Sequence, residues 1–495
     1  MIEQSAPYDT VVRGGTLVLE DGVLLADLWI ADGRVAALTE PGVLAATAVA
    51  RESLDATGCY VMPGTVDAHA HVHIPYVRPD GSTPYSRDDF LSASRAAAAG
   101  GTTTFIDFAM QAEGQEPLAA LAQRLDDLRA AAVDVALHCW LVDVRPAYLA
   151  QLPALVAAGV PSVKAFMAYS QSGEAMDDGD LLALFEAGAA CDALVAVHAE
   201  NARIIRRRTA DLLARGRTGL ESLPLSRPAI AEEEAVARAT VLAGHAGCAL
   251  YCVHLSTAGS VARLRAAQAS GQRVTGETCS HFLLFTDEVY DGPRAADFVV
   301  SPPLRTAPDQ EALWAGLADG SLSVVATDHS AWARPDKVFG PTFRETLHGL
   351  AGLGLLFPAF VPAALARGWD PVAIARVTAT APARTFGIYP QKGAIRVGAD
   401  ADLLIVDLDG ERQQPLAAIA PYSSVDYSIY EGLPGLYPRA VLSRGRLLAR
   451  DGVYVGPDGG GQFVPGTQAH RRQSDEHTRN HDATTHNGTG SRPSA

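Results

Sequence analysis

The chain has 495 residues, with 40 Lys and Arg against 56 Asp and Glu, a formal net charge of −16. That balance excludes the broad positive surface that nucleic acid or an anionic membrane requires. A content of 48% hydrophobic and 19% charged residues likewise excludes an intrinsically disordered chain. Among the cations only Lys164, Lys337 and Lys392 are lysines, and the other 37 are arginines. Six cysteines, Cys59, Cys139, Cys191, Cys248, Cys252 and Cys279, form no Cys-x-x-Cys pair. They read as buried thiols of a cytoplasmic, reducing compartment. Met1-Ile2-Glu3-Gln4 opens no basic-then-apolar signal sequence.

In chain order, residues 1–60 read as short strands, among them Asp9-Thr-Val-Val-Arg-Gly-Gly and Leu28-Trp-Ile-Ala-Asp-Gly-Arg, separated by Gly-Gly and Asp-Gly turn signals. Residues 61–389 alternate. Apolar strands are expected near 66–71, 102–109, 134–141, 162–167, 193–199, 249–255, 273–278 and 323–328. Helices are expected between them at Pro117–Ala132, Asp178–Ala190 and Ala258–Ser270, and another from an N-cap near Ser86-Arg-Asp-Asp-Phe to Gly100-Gly101. Eight strands alternating with helices predict an α/β fold, a (β/α)8 TIM barrel, with a doubly wound sheet as the alternative. The stretch 346–366 carries no Asp, Glu, Lys or Arg, but its prolines and glycines mark it as a buried segment and not a membrane span. Residues 390–465 return to strand texture, in Gly393-Ala-Ile-Arg-Val-Gly and Ala440-Val-Leu-Ser, and are expected to pair with 1–60 in a small β-sandwich domain. Residues 466–495 read as a disordered tail. From Thr467 onward there is no Val, Ile, Leu, Met, Phe, Tyr or Trp, and its four histidines are read as solvated.

Outside that tail the ten histidines all fall between His69 and His348. Val66-Asp-Ala-His69-Ala-His71 places two imidazoles at i and i+2, on one face of a strand. Taken alone the pair is weak, since a buried histidine is more often a hydrogen-bonded core residue than a ligand. Three other strands end the same way: Ala193-Leu-Val-Ala-Val-His198, Leu250-Tyr-Cys-Val-His254 and Ser323-Val-Val-Ala-Thr-Asp328. Barrel active sites assemble from the C-terminal ends of several strands, so the four together predict a metal centre. His138, His245 and His281 lack that setting and are assigned structural roles.

Lys164, in Val160-Pro-Ser-Val-Lys164-Ala-Phe-Met-Ala-Tyr169, lies on the fourth expected strand among apolar neighbours. An ammonium cannot ligate a cation. Burial favours the neutral amine, which can add CO₂ and become a carbamate with two oxygens for two metals. The competing reading is a snorkelling or ion-paired lysine. Lys337 and Lys392 carry no such signal and are expected to tolerate arginine.

These strings resemble the cyclic amidohydrolases of the amidohydrolase superfamily, the D-hydantoinases and dihydropyrimidinases above all, with allantoinases next. The likeness rests on Met62-Pro-Gly-Thr-Val-Asp-Ala-His-Ala-His71, Val163-Lys-Ala-Phe-Met-Ala-Tyr169, Val197-His-Ala-Glu-Asn201, Ser301-Pro-Pro-Leu-Arg305, Ala326-Thr-Asp-His329, Lys392-Gly-Ala-Ile-Arg-Val-Gly-Ala-Asp-Ala-Asp402 and Tyr430-Glu-Gly432. It implies ring opening of a hydantoin or dihydropyrimidine to an N-carbamoyl amino acid by a bridging hydroxide. It further implies two divalent ions, usually Zn2+, held by His69, His71, His198, His254, Asp328 and carboxylated Lys164. Asp328 would move the proton, Tyr169 would donate to the oxyanion, and Ser301 would bind the ring amide. The resemblance also implies a homotetramer or dimer. Leu347-His348-Gly349 departs from the hydantoinase Pro-Asn-Gly contact toward allantoinases, and places His348 against the substrate. Arg78 and Tyr85, in a long stretch from His73 to Arg87, are expected at the pocket rim. A non-catalytic scaffold of the same fold would have lost ligands, and here all six positions are filled.

Overall fold

The computed structural model describes residues 8–43, 49–78, 80–168, 175–408, 413–417 and 422–467. Eight parallel strands follow one another around a single sheet: β1 (Thr65–Asp67), β2 (Thr102–Met110), β3 (Asp134–Trp140), β4 (Ser162–Phe166), β5 (Leu194–His198), β6 (Ala249–Cys252), β7 (Val274–Cys279) and β8 (Val324–Ala326). Their order in space is their order in the chain, which a doubly wound sheet with its reversal point does not allow. The ring closes between its ends. Ala70 bridges His329 in parallel, the His71 N–H donates to the His329 carbonyl at 2.7 Å, and the Asp67 carboxylate accepts the Thr327 N–H and hydroxyl at 3.1 and 2.6 Å.

The strands read as apolar runs without alternation because helices cover one face and the barrel interior the other. Inside, Val66, Ile106, Ala196 and Tyr251 pack with Phe386, Ile388 and Val464, which fill the interior with side chains from late in the sequence. Helices begin where short polar residues can satisfy free backbone N–H groups. Asp89 forms a capping box with Ser92 at the head of Phe90–Ala99, and Asp177 and Thr257 cap Asp178–Cys191 and Ala258–Ala269. The helix expected at Pro117–Ala132 is α-helical over Pro117–Asp127 and tightens to a 3₁₀ turn at Leu128–Ala130. Within 346–366 only Leu356–Ala366 is helical, and among the described residues no helix is long and apolar enough to cross a membrane.

Both chain ends build a second, nine-stranded sheet. Tyr8–Leu19, Gly22–Ala31, Arg34–Thr39, Ala50–Asp55 and Tyr60–Pro63 join Leu403–Val406, Ala440–Ser443, Arg446–Arg450 and Val453–Tyr454. Leu17, Leu28, Ile30, Val61, Leu403 and Leu442 form a core separate from the barrel's. Tyr60–Pro63 carries this sheet just past the expected division at residue 60. Near the other end, residues 461–464 run back onto the barrel, with the Val464 N–H donating to the Val135 carbonyl at 2.9 Å. The expected tail lies outside the described residues beyond Thr467.

The two units are clamped by Lys392, 1% exposed, whose Nζ donates to Asp134 Oδ2 at 2.5 Å and Asp402 Oδ2 at 2.8 Å and lies 3.0 Å from Asp400 Oδ2. Lys337 is equally buried. The expectation that these two lysines tolerate arginine does not survive their surroundings. A guanidinium is larger than the ammonium that each enclosed site holds, and at Lys337 only two carbonyls accept from the Nζ among the described residues.

Candidate active site

The expected ligand residues gather at the C-terminal ends of the barrel strands. β1 stops at Asp67, so His69 and His71 follow the strand instead of lying on it, yet their Nε2 atoms converge to 3.2 Å. Asp328, just past β8, brings Oδ1 to 3.4 Å from each of those nitrogens. The ligand atoms of these three residues all lie within 4.8 Å of one another. His198 ends β5, and its Nδ1 lies 3.0 Å from Nε2 of His254, which follows β6. The ring centroids of His69 and His254 are 5.5 Å apart, which sets the two groups side by side. Asp328 and His254 both adopt left-handed backbone, with φ of 49° and 38°. Non-glycine residues pay strain for that conformation, which turns their side chains off the strand ends into one cavity.

Lys164 lies between the two groups on β4, fully buried, opposite Ala196 of β5 and Trp140 of β3. Its Nζ faces the rings of Phe108 and Phe166 at 5.6 and 5.1 Å and has no hydrogen-bond partner among the described residues. Burial pulls its pKa down to about 8 against the pull of Asp328 and Glu277, so roughly a tenth of the amine is neutral at pH 7, far more than for an exposed lysine. Burial, and after it the neighbouring positive groups, likewise holds His69 and His254 well below the ordinary histidine value, so both are neutral with free lone pairs.

Two buried carboxylates that the sequence reading passed over orient these rings. Glu277 of β7 lies 2.8 Å from His69 Nδ1 and accepts the His254 N–H at 2.9 Å and the Tyr251 hydroxyl at 2.8 Å. Burial raises its pKa to about 8, while His254, Tyr251 and Lys164 oppose the rise. Glu200 takes His198 Nε2 at 2.7 Å and the Arg227 Nε–H at 3.0 Å. Burial pushes that carboxyl up, but Arg227 and His198 overcome it and hold the pKa far below the usual range. With Nδ1 of His69 and Nε2 of His198 turned to carboxylates, the opposite nitrogens present lone pairs to the cavity. The ligand atoms of His69, His71 and Asp328 converge without a cationic side chain in the group, an arrangement that could hold a metal ion. The signal for Glu277 was available: an acid inside an otherwise apolar buried strand needs a buried partner.

Ser301 and His348 meet, with the Ser301 hydroxyl against His348 Nδ1. Tyr169 lies outside the described residues. Arg78 stacks on Phe339 at 5.1 Å and donates to the Asp336 carbonyl at 2.5 Å, while Tyr85 is half exposed and stacks on His73 at 4.8 Å. His138 is structural as expected, with Ser162 and the Ala68 carbonyl on its two nitrogens at 2.6 and 3.0 Å. His281 is not remote from a strand end: it lies two residues past β7, buried, with neither ring nitrogen hydrogen-bonded among the described residues. The periodicity ended the seventh strand at 278, whereas the strand runs to Cys279 and turns at once into Ser280–Leu284.

A (β/α)8 barrel carrying histidines and an aspartate at its strand ends could hold a metal ion, as metal-dependent hydrolases of this fold class do. The amidohydrolase family model matches residues 60–433, and the chain belongs to that family. A D-hydantoinase of Streptomyces coelicolor is 39% identical over 473 residues, covering 92% of this chain and 97% of the relative. The crystal structure of a dihydropyrimidinase from Brevibacillus agri superposes with a TM-score of 0.87 at 32% identity, covering 93% of this chain and 99% of that one. An L-hydantoinase (dihydropyrimidinase) from Arthrobacter aurescens reaches 0.83 at 32% identity, over 92% of this chain and 100% of the other.

Proposed function

We propose that this chain is a binuclear metal-dependent hydrolase that opens a hydantoin or dihydropyrimidine ring to an N-carbamoyl amino acid. The observation that carries this reading is the unpaired Nζ of Lys164, buried between two groups of converging acceptors. His69, His71 and Asp328 would hold one divalent ion, zinc by preference, and His198 and His254 the second. Lys164 would contribute two further oxygens as a carbamate, formed when its neutral amine adds to the carbon of CO₂ and sheds a proton. When bound, such a pair supplies an acidified water and polarises the ring carbonyl.

The chain's own groups do the rest. Glu277 and Glu200 keep the tautomers of His69 and His198 turned to the cavity. Asp328 accepts a proton from the attacking water on a carboxylate oxygen and returns it to the leaving ring nitrogen. Tyr169 donates its phenol hydrogen bond to the developing oxyanion. Backbone groups of Ser301 hold the ring amide, with His348 beside them. The reading also takes the enzyme to be cytoplasmic, in keeping with six free cysteines, and to work as a homotetramer or dimer.

The test pairs composition with turnover. Elemental analysis should find about two zinc-like ions per chain, lost in Lys164→Ala, and parallel assays on dihydrouracil, 5-substituted hydantoins and allantoin should show turnover of the first two classes. Turnover of allantoin alone moves the chain to the cyclic-ureide hydrolases. Full activity after exhaustive chelation refutes the metal reading.

A further inference from the structure

Ser301 and His348 arrive from different connections, one after β7 and the other after β8, so something must set their separation. Lys337 joins those connections. It is 1% exposed, and its Nζ donates to the Asp297 carbonyl at 3.0 Å and the Gly349 carbonyl at 2.6 Å. Its own carbonyl accepts the Leu347 N–H at 2.7 Å, so it holds both flanks of His348. Among the described residues no carboxylate hydrogen-bonds to this Nζ, and the side chain of Asp297 is engaged by Arg334 at 3.0 and 2.9 Å. Burying an ammonium against two carbonyls and the face of the Tyr427 ring, 5.8 Å away, is costly. Two apolar neighbours would pack there at lower cost, so geometry and not stability explains the residue. Gly349 has a φ of +144°, and a Cβ there would fall 2.6 Å from the Ser330 carbonyl oxygen, so only glycine can turn its carbonyl to the lysine.

We propose that Lys337 is a positioning residue for substrate recognition: by gripping the Asp297 and Gly349 carbonyls with one ammonium, it sets the distance between Ser301 and His348. This rests on the reading above that those two residues meet the substrate. An arginine would overfill the gap, and a methionine would span it without holding either carbonyl.

Lys337→Met, assayed on the hydantoin or dihydropyrimidine that the native protein turns over, should raise KM by roughly tenfold, short of the ~100-fold that an ångström's misplacement can cost. Metal content should match the native protein, and kcat should stay within about threefold. In a His348→Ala background the KM effect of Lys337→Met should shrink, since positioning acts through that side chain. If Lys337→Met does not fold, Lys337→Gln, which keeps a shorter single donor group, reads the same split. An unchanged KM, a loss confined to kcat, or full additivity with His348→Ala overturns the proposal. If Ser301→Ala and His348→Ala themselves leave KM untouched, the substrate reading of the pair fails with it. If they raise KM and Lys337→Met does not, only the role of Lys337 is refuted.

Discussion

Replacing Glu277 by glutamine separates the charge of this carboxylate from its shape. Glutamine's amide oxygen, placed where Oε1 lies, can still accept from the His69 ring and the His254 N–H, now held at 2.8 and 2.9 Å. Its amide nitrogen would face the Tyr251 hydroxyl, which must turn from donor to acceptor. Measured above about pH 8, where Glu277 is ionised, the bond to His69 changes from charge-assisted to neutral, from about 1.5–3 to about 1 kcal/mol. A loss of about 0.5–2 kcal/mol corresponds to a roughly 2- to 30-fold weaker hold on the ion at His69 and His71. That agrees with the ~10- to 100-fold typical of partners behind metal-bound histidines. The assay is competition of native and Glu277→Gln protein against a chelator of known affinity, with thermal unfolding of the chelated proteins as the fold control. Equal metal retention at equal apo-protein stability would refute the view that Glu277 holds His69 in its ligand tautomer.

Lys392→Met removes the buried ammonium hydrogen-bonded to Asp134 and Asp402, with Asp400 also at its Nζ, and leaves them the Arg444 Nε, 3.2 Å from Asp134 Oδ2. Breaking such a buried group by one partner costs about 3–5 kcal/mol, read as a lowered midpoint in denaturant. Lys392→Arg should also destabilise, and an unchanged midpoint for both would show the clamp to be dispensable. Asp297 gives a pH signature. Burial raises its carboxyl, but Arg334 and Arg294 outweigh this and lower the pKa below the ordinary value of 3.8. The stabilisation is therefore complete above that value and lost as pH falls through the lower, folded-state value. The stability gap between native protein and Asp297→Asn should be widest at neutral pH and close below about pH 4, as followed by chemical denaturation; a gap that widens in acid would contradict the sign.

What the sequence determined by itself was local. The apolar runs placed all eight barrel strands, short polar residues and glycines marked helix ends, and His-x-His with three further strand-end ligands marked the metal centre before any pairing was known. Those signals are readable because strand burial, capping and ligand chemistry each act within a few residues. Tertiary structure alone decided the partnerships. Glu277 reaches His69 across 208 positions, and Lys392 reaches Asp134 across 258, distances over which no periodicity carries information. The same holds for the lysines. Scarcity drew attention to Lys164, but burial and neighbours gave all three their meaning: one unpaired, among the described residues, beside candidate metal ligands, one gripping two carbonyls, one enclosed by three aspartates. A buried charge is defined by the groups that surround it, and only the folded chain brings those groups together.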